Sequence, residues 1–243
     1  MTDQLATTRL GMLTPSSNTV LEPFTAAMLS DLPDVSAHFQ RLRVLKISME
    51  DDSRGQFELE PMLEAAELLA EAKVQSICWN GTSSGWLGFE KDARLIEAIE
   101  SRTGIKACSC VGAMNALFEG FGARRIAIVT PYLPEIQSAI VANYETHGYT
   151  VVAERHLNDP GNFSFAEYSA EQIAQMCRDV ATAQPEAIAI YCTNFRGTGI
   201  APQIEAETGI PVIDSVSAAL WQSMRTAGAD PSRVRGWGRL FTL

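Results

Sequence analysis

The sequence has no hydrophobic run that approaches the roughly 20 residues needed by a membrane-spanning helix. Its first ten residues, MTDQLATTRL, also lack the cationic start and apolar stretch of a signal peptide. Basic residues are few: 19 Lys and Arg stand against 29 Asp and Glu, for a formal net charge of −10. This balance excludes the positive surface that nucleic-acid-binding proteins present. We therefore expect a cytoplasmic protein with neither nucleic acid nor a membrane as a partner.

Cysteine is scarce and irregularly spaced, with an odd count of five. The spacing is not that of a disulfide scaffold. Cys108 and Cys110 have no second pair and no nearby histidine, so no metal site is predicted. We expect four of the cysteines to be small buried hydrophobes, namely Cys78, Cys108, Cys110 and Cys177. Cys192 lies between Tyr191 and the polar Thr193, so we expect a partly exposed thiol with a lowered pKa.

The patterns that bind nucleotide phosphates, G-x-x-x-x-G-K-[ST] and G-x-G-x-x-G, do not occur. No Ser-His-Asp triad is predicted, and the three histidines, His38, His147 and His156, are taken as surface or structural residues. We therefore expect neither a nucleotide cofactor nor serine-hydrolase chemistry.

The 243 residues, of which 46% are hydrophobic, alternate between two patterns. Short apolar runs typical of strands covered on both faces occur at 9–13, 74–79, 125–130, 187–192 and 210–214. Amphipathic helices are predicted from Leu59 to Ala70 and at 91–100, 135–146, 167–183 and 216–227. The alternation predicts an α/β fold.

A self-comparison indicates an internal duplication. Thr-Pro follows a strand at Thr14 and again at Thr130, 116 residues later. The segments GTSSG (81–85) and CTNFRG (192–197) align at an offset of 111. Two segments that begin with Thr-Gly-Ile and lead through a turn into a helix, at Thr103 and Thr208, align at an offset of 105. We predict two pseudo-twofold-related halves, each a short, mostly parallel sheet flanked by helices. The predicted boundaries are 1–107 plus 213–243 and 108–212, with the active site in the cleft between the halves.

Polar loops end four of these segments: PSSNT, GTSSG, PY and CTN. In open α/β sheets, ligands bind beyond the carboxyl ends of the strands. The loops supply hydroxyls, amides and backbone N–H groups, which suit an anion. The sequence therefore predicts a small carboxylate as ligand.

Five motifs, in order, carry a resemblance over nearly the whole chain: PSSNT, GTS, TPY, CTN and GWGRLF. Together with the duplication, they resemble the Asp/Glu racemase superfamily, and within it the branch of arylmalonate decarboxylase and maleate cis-trans isomerase. The resemblance implies chemistry at a carbon beside a carboxylate with no cofactor.

The resemblance also implies roles for individual residues. Racemases of the superfamily use a mirror pair of cysteines, whose positions here are Gly81 and Cys192. Cys78 lies three residues early, within a strand, and is a poor substitute for the first thiol. The single thiol of Cys192 is thus the implied proton donor to an enediolate, as in the decarboxylase. The implied substrate-binding residues are Pro15, Ser16, Asn18, Thr82, Ser83, Tyr132, Thr193 and Asn194.

Other interpretations stay open. Thr82, Ser83 and Ser84 could be helix N-caps, and Tyr132 a half-buried aromatic with a wet hydroxyl. The PSSNT loop with Glu22 is more similar to maleate isomerase. Arg41 and Arg43 suit either a solvated strand face or a clamp on a second carboxylate. Two further functions are open: an isomerase or racemase of an amino-acid derivative, as in ectoine utilisation, and a non-catalytic binding protein. The sequence also leaves open whether the protein forms a homo-oligomer.

Overall fold

The computed structural model describes residues 7–44 and 59–243. The first sheet contains β1 (Thr8–Pro15), β2 (Val35–Leu42), β3 (Ser76–Trp79) and β4 (Ala107–Ser109), in the order β2-β1-β3-β4. The second contains β5 (Arg125–Thr130), β6 (Thr150–His156), β7 (Ala187–Ile190) and β8 (Val212–Asp214), in the order β6-β5-β7-β8. Every pairing in both sheets is parallel. Because the two orders are the same, the predictions of an α/β fold and of two similar halves are confirmed.

Helices flank both sheets. In chain order they are α1 (Leu21–Met28), α2 (Leu59–Glu71), α3 (Ser84–Leu87), α4 (Glu90–Thr103), α5 (Cys110–Gly120), α6 (Pro134–Thr146), α7 (Ala170–Ala181), α8 (Ala201–Thr208) and α9 (Ser215–Thr226). The helix predicted at 167–183 begins later, at Ala170, because Ser169 and Gln172 form a capping box there. No helix in the described ranges is long and apolar enough to cross a membrane.

Three strands carried too weak a pattern to be predicted. β2 and β6 lie at the sheet edges, and most of their side chains are only half-buried, so they lack the continuous apolar run of a central strand. β4 has only three residues. The interior strands β1, β3, β5 and β7, which carry the site loops, were all predicted.

The chain crosses between the halves near its end. β8 completes the second sheet, whereas the helix after it, α9, packs against α5 and against β3 and β4 of the first. The hydroxyl of Ser76 in β3 donates a hydrogen bond of 3.0 Å to the carbonyl of Ser223 in α9. The predicted boundaries at 107/108 and 212/213 themselves stay a prediction.

Candidate active site

A small pocket lies where the loops after β1, β3, β5 and β7 meet. Its cavity volume is about 20 Å³, little more than one water molecule needs. Its lining in the described chain consists of Pro15, Asn18, Val44, Trp79, Gly81, Thr82, Ser83, Trp86, Tyr132, Asn162, Cys192, Thr193 and Asn194. The pocket therefore brings together every predicted site residue except Ser16.

Cys192 is buried, with 4% of its surface exposed. Its backbone N–H donates to the hydroxyl of Ser215 at 2.9 Å, and that hydroxyl donates to the carbonyl of Ile190. The backbone N–H of Asn194 donates to Sγ at 3.4 Å. The end of β7 and the start of α9 thus fix the thiol at the pocket wall.

The expectation of a partly exposed Cys192 with a lowered pKa is wrong. Burial raises the pKa of the Cys192 thiol to about 12, although hydrogen bonds from the Tyr132 hydroxyl and the Asn194 N–H act in the opposite direction. Polar neighbours in the sequence suggested exposure, but in the fold their side chains bond to other parts of the protein. The thiol is therefore protonated near neutral pH.

Tyr132 and Thr82 form a polar contact between the halves. Their hydroxyls share a hydrogen bond of 2.6 Å, and Tyr132 is only 2% exposed. The interpretation of Tyr132 as half-buried with a wet hydroxyl is therefore wrong. The capping interpretation of the GTSSG loop is also wrong, because the N-cap of α3, Ser83, makes no capping bond with its side chain.

Asn18 and Thr193 form a second contact between the halves. Asn18 Nδ2 donates to Thr193 Oγ1 at 3.1 Å, and this hydroxyl donates to the carbonyl of Asn80 at 2.9 Å. Asn18 Oδ1 accepts the N–H groups of Val20 and Leu21 at the start of α1. The two contacts correspond to each other. In each, a threonine in the loop after β3 or β7 bonds to a residue of the other half: Thr82 to Tyr132, and Thr193 to Asn18.

Asn194 and Ser16 hold the loops in place. Asn194 Oδ1 accepts the N–H of Thr19 at 2.9 Å, and its Nδ2 donates to the carbonyl of Asn162 at 2.6 Å. Ser16 does not line the pocket. Its hydroxyl accepts the N–H of Val44, and its N–H donates to the carbonyl of Leu42. Both groups bond to the chain at and just after the end of β2, and a substrate contact by Ser16 stays a prediction.

Several backbone N–H groups around the pocket remain available. Those of Thr82, Ser83 and Thr193 donate no hydrogen bond within residues 7–44 and 59–243. Buried N–H groups normally find a partner, so unpaired ones beside a pocket are suited to an anion. The carboxylate site predicted from the loops has a physical basis here.

Arg41 and Arg43 do not line the pocket. Arg41, whose side chain is 41% exposed, donates to the carbonyls of Ser16 and Asn18 and pairs with Glu22 at 2.8 Å. Arg43 is exposed. Of the two interpretations, the clamp on a second carboxylate is wrong, and Arg41 instead supports the PSSNT loop from outside.

The remaining candidates lie elsewhere. The other four cysteines are all buried, as predicted. GTSSG (81–85) also fits the G-x-S-x-G pattern of serine hydrolases. However, none of the three histidines, all of them described, lines the pocket, so Ser83 has no histidine beside it there. No group of His, Cys, Asp and Glu in the described chain could hold a metal ion.

The family model of arylmalonate decarboxylase matches residues 10–241, almost the whole chain. The chain belongs to the arylmalonate decarboxylase family. Curated relatives include a maleate isomerase of Nocardia farcinica, 28% identical over 96% of this chain and 95% of its own. Another is an arylmalonate decarboxylase of Bordetella bronchiseptica, 23% identical over 98% of both chains. The predicted branch and the prediction of an enzyme are confirmed.

Solved structures share the fold of this family member. A cysteine-to-serine variant of the Nocardia farcinica maleate cis-trans isomerase, with a covalently bound succinylcysteine intermediate, superimposes with a TM-score of 0.88 at 24% identity. It covers 96% of this chain and 98% of its own. Unliganded arylmalonate decarboxylase gives a TM-score of 0.81 at 23% identity, covering 97% and 99%.

Four lining residues of this family member were not predicted: Val44, Trp79, Trp86 and Asn162. A signal existed for Val44, because Leu42 and Val44 alternate with two arginines in a strand-like pattern. The tryptophans gave only the signal of large apolar residues beside a polar loop. Asn162 lies in a turn with no periodic pattern.

Proposed function

We propose that this protein is a cofactor-independent decarboxylase of a small malonate-like acid, with Cys192 as its single proton donor. The observation that carries the proposal is the asymmetry of the pocket. Cys192 lines one side, whereas the corresponding position of the other half is Gly81. A racemase with two bases needs a thiol on both sides, and an enediolate protonated from one side needs only one.

In this proposal the retained carboxylate is held by polar groups of the loops after β3, β5 and β7. The free N–H groups of Thr82, Ser83 and Thr193 donate to its oxygens, together with the hydroxyl of Tyr132. Negative charge moves onto this carboxylate as the enediolate forms. Preorganised donors aimed at such charge are each worth roughly 10²–10³-fold in rate.

The leaving carboxylate lies against apolar side chains. Val44, Trp79 and Trp86 line the pocket, and none of its lining residues in the described chain is Lys or Arg. A carboxylate in apolar surroundings is destabilised relative to neutral CO₂. This wall therefore favours loss of CO₂ over retention of both carboxylates.

The reaction balances without a co-reactant. The bond between the α-carbon and the leaving carboxylate breaks, and its electron pair moves into the enediolate as CO₂ departs. Cys192 gives its proton to the α-carbon, and the resulting thiolate takes a proton from water. The raised pKa of the thiol makes this reprotonation favourable.

A second candidate is isomerisation of a dicarboxylic acid such as maleate. It is supported by the buried amide of Asn18 in the pocket and by the 28% identity to a maleate isomerase. It requires a nucleophile. The raised pKa of Cys192 and the glycine at position 81 both count against it.

The proposal is tested by incubating the protein with phenylmalonate, methylmalonate and maleate separately in D₂O, followed by proton NMR. We expect CO₂ loss from a malonate and one deuterium at the α-carbon. Cys192→Ala should lower the rate by roughly 10²–10⁴-fold. The matched control is Cys177→Ala, a buried cysteine in α7 outside the pocket, which should keep the wild-type rate. Conversion of maleate to fumarate, or no reaction with either malonate, would contradict the proposal.

We further propose a cytoplasmic enzyme that uses neither nucleic acid nor membrane as a partner. The net charge of −10 supports the first of these exclusions. A homo-oligomer remains compatible with exposed apolar side chains on the surface, such as Leu68 and Phe163. Size-exclusion chromatography with light scattering decides the oligomeric state.

A further inference from the structure

The two halves differ in the residue that precedes the thiol position. β3 ends at Trp79 and β7 ends at Ile190, each two residues before the corresponding Gly81 and Cys192. Residues two apart in extended chain point to the same side. The side chain at the strand end therefore decides how much room the thiol position has.

In the first half that room is filled. A Cβ atom added to Gly81 would meet the ring carbons Cζ2 and Cε2 of Trp79, and would lie 2.8 Å from its Nε1. Trp79 is 1% exposed, so its ring has little freedom to move. No side chain, cysteine included, fits at position 81 while this ring stays in place.

In the second half the corresponding side chain, Ile190, packs against a different glycine. The methyl groups of Ile190 lie against Gly197, where an added Cβ would be 2.8 Å from Cδ1. Cys192 is thus left free to line the pocket. The first half thus combines a glycine with a tryptophan that covers it, and the second half combines a cysteine with an isoleucine that packs elsewhere.

Trp79 also separates two cavities. Together with Ser83 it lines both the pocket of about 20 Å³ and a neighbouring cavity of about 320 Å³. The larger cavity is otherwise lined, among the described residues, by Leu59, Met62, Leu87, Lys91, Asp92, Arg94 and Leu95. The indole therefore stands as a partition between the pocket and a much larger space, which is lined by apolar and charged side chains.

We propose that Trp79 determines the specificity of this site in two respects. Its indole occupies the place of a second thiol and closes the substrate face opposite Cys192, so that the proton arrives from one side. The same ring limits the substituent on the α-carbon to a small group. This inference rests on the proposed function and names the residue that sets its stereochemistry and substrate size.

The position of the ring is tested without any substrate by a thermal-unfolding cycle of wild type, Gly81→Cys, Trp79→Leu and the double variant. Gly81→Cys alone should lower the Tm by several degrees. The Tm of the double variant should lie close to that of Trp79→Leu alone. Gly199→Cys is the matched control, because its Cβ would make only an ordinary 3.4 Å contact with Phe24. The change in Tm caused by Gly199→Cys should add to the change caused by Trp79→Leu. If the change caused by Gly81→Cys also adds to that of Trp79→Leu, the proposal is overturned.

The stereochemical role is tested with the same four proteins and each enantiomer of 2-phenylpropanoate in D₂O. The double variant should racemise this acid at least tenfold faster than either single variant, since only it has two thiols with room to act. Racemisation by Gly81→Cys as fast as by the double variant would overturn the proposal. So would a double variant that does not racemise although both thiols react with iodoacetamide.

Size selection is tested by comparing methylmalonate with phenylmalonate. Trp79→Leu should raise the rate ratio of phenylmalonate to methylmalonate at least tenfold, and an unchanged ratio would contradict the partition. If wild type and all variants leave every malonate intact, the proposed function fails. The thermal cycle then still decides whether the ring excludes a side chain at position 81.

Discussion

The thiol of Cys192 combines burial with a place in the pocket wall, and this combination governs how pH acts on the enzyme. Burial raises the pKa of Cys192 to about 12, so the proton to be donated is present at neutral pH and is lost only as pH rises toward that value. The same shift means that the folded state prefers the neutral thiol. The neutral thiol therefore contributes fully to the free energy of unfolding below the pKa of an unfolded cysteine, about 8.5. This contribution declines as pH rises further.

We expect the rate of decarboxylation to show no loss from a titrating thiol between pH 6 and about pH 10. Initial rates of CO₂ release, measured over this range, check the expectation. The thiolate absorbance near 240 nm of wild type minus that of Cys192→Ser gives an independent readout. A fall in rate between pH 7 and 8, accompanied by new thiolate absorbance, would show that the proton donor has an ordinary or lowered pKa.

Tyr132 acts on both the polar loop and the thiol, since its hydroxyl shares a hydrogen bond with Thr82 and counteracts the rise in the pKa of Cys192. We expect Tyr132→Phe to lower kcat by roughly 10²-fold, with a smaller change in KM, because the lost donor acts on charge that develops during the reaction. Steady-state kinetics check this. Tyr149→Phe, near Arg124 and away from the pocket, should leave both constants unchanged. An equal loss in both variants would point to a general structural effect.

At the scale of elements, Asn18 joins a helix start to the facing half. Its Oδ1 caps α1, and its Nδ2 reaches Thr193 across the cleft. We expect Asn18→Ala to lower the free energy of unfolding by about 1–2 kcal/mol, because the cap and the cross-cleft bond are both lost. Urea unfolding at neutral pH measures this change.

Asn18→Asp separates the two contributions, because a carboxylate still caps α1 but cannot donate to Thr193 when ionised. Stability should fall less than in the alanine variant. The KM for a malonate should rise, however, because the new negative charge faces an anion site. If the aspartate variant binds substrate as well as wild type, Asn18 does not lie near the bound carboxylate.

The elements that could be predicted from sequence are those whose signal is local. The interior strands show continuous apolar runs, and three matches in the same order, at offsets of 116, 111 and 105, together indicate the duplication. The edge strands β2 and β6 have mixed patterns, because solvent reaches one side of each. Their existence depends on pairing with a neighbour, which a local pattern does not show.

Most of the polar residues that line the pocket could be predicted from the sequence, but the electrostatics of the pocket could not. The loops at strand ends point to Thr82 and Thr193, because parallel strands end at a common edge. The burial of Cys192 results from chain segments distant in sequence, so its pKa could not be read from its neighbours. The ring of Trp79 over Gly81 depends on a single side-chain orientation, and the sequence shows only that a tryptophan precedes a glycine by two residues.

At the scale of the whole molecule, the cleft is bridged by side chains of both halves. Thr82 with Tyr132, and Asn18 with Thr193, connect the loops of one half to those of the other. A carboxylate held by the loops after β3 and β7 would contact both halves at once. Its binding free energy should therefore stabilise the whole chain rather than one half.

Propanoate, the product of methylmalonate decarboxylation, is expected to raise the Tm in a single transition. At a concentration 100 times its Kd the stabilisation is about 2.7 kcal/mol. For a chain of this length that corresponds to roughly 5–10 °C. Differential scanning calorimetry measures the shift. Cys192→Ala should keep it and Asn18→Asp should reduce it, whereas two transitions, only one of them shifted, would mean that a single half holds the ligand.

The unequal walls of the pocket, with Cys192 on one side and Trp79 over Gly81 on the other, also bear on substrates whose two carboxylates are chemically identical. In a malonate with two different α-substituents these carboxylates are enantiotopic, and bulk water does not tell them apart. Inside this pocket one faces the N–H groups and the other the aromatic wall. A ¹³C label at one enantiotopic carboxylate would therefore leave entirely as CO₂ or remain entirely in the product, depending only on the handedness of the labelled acid.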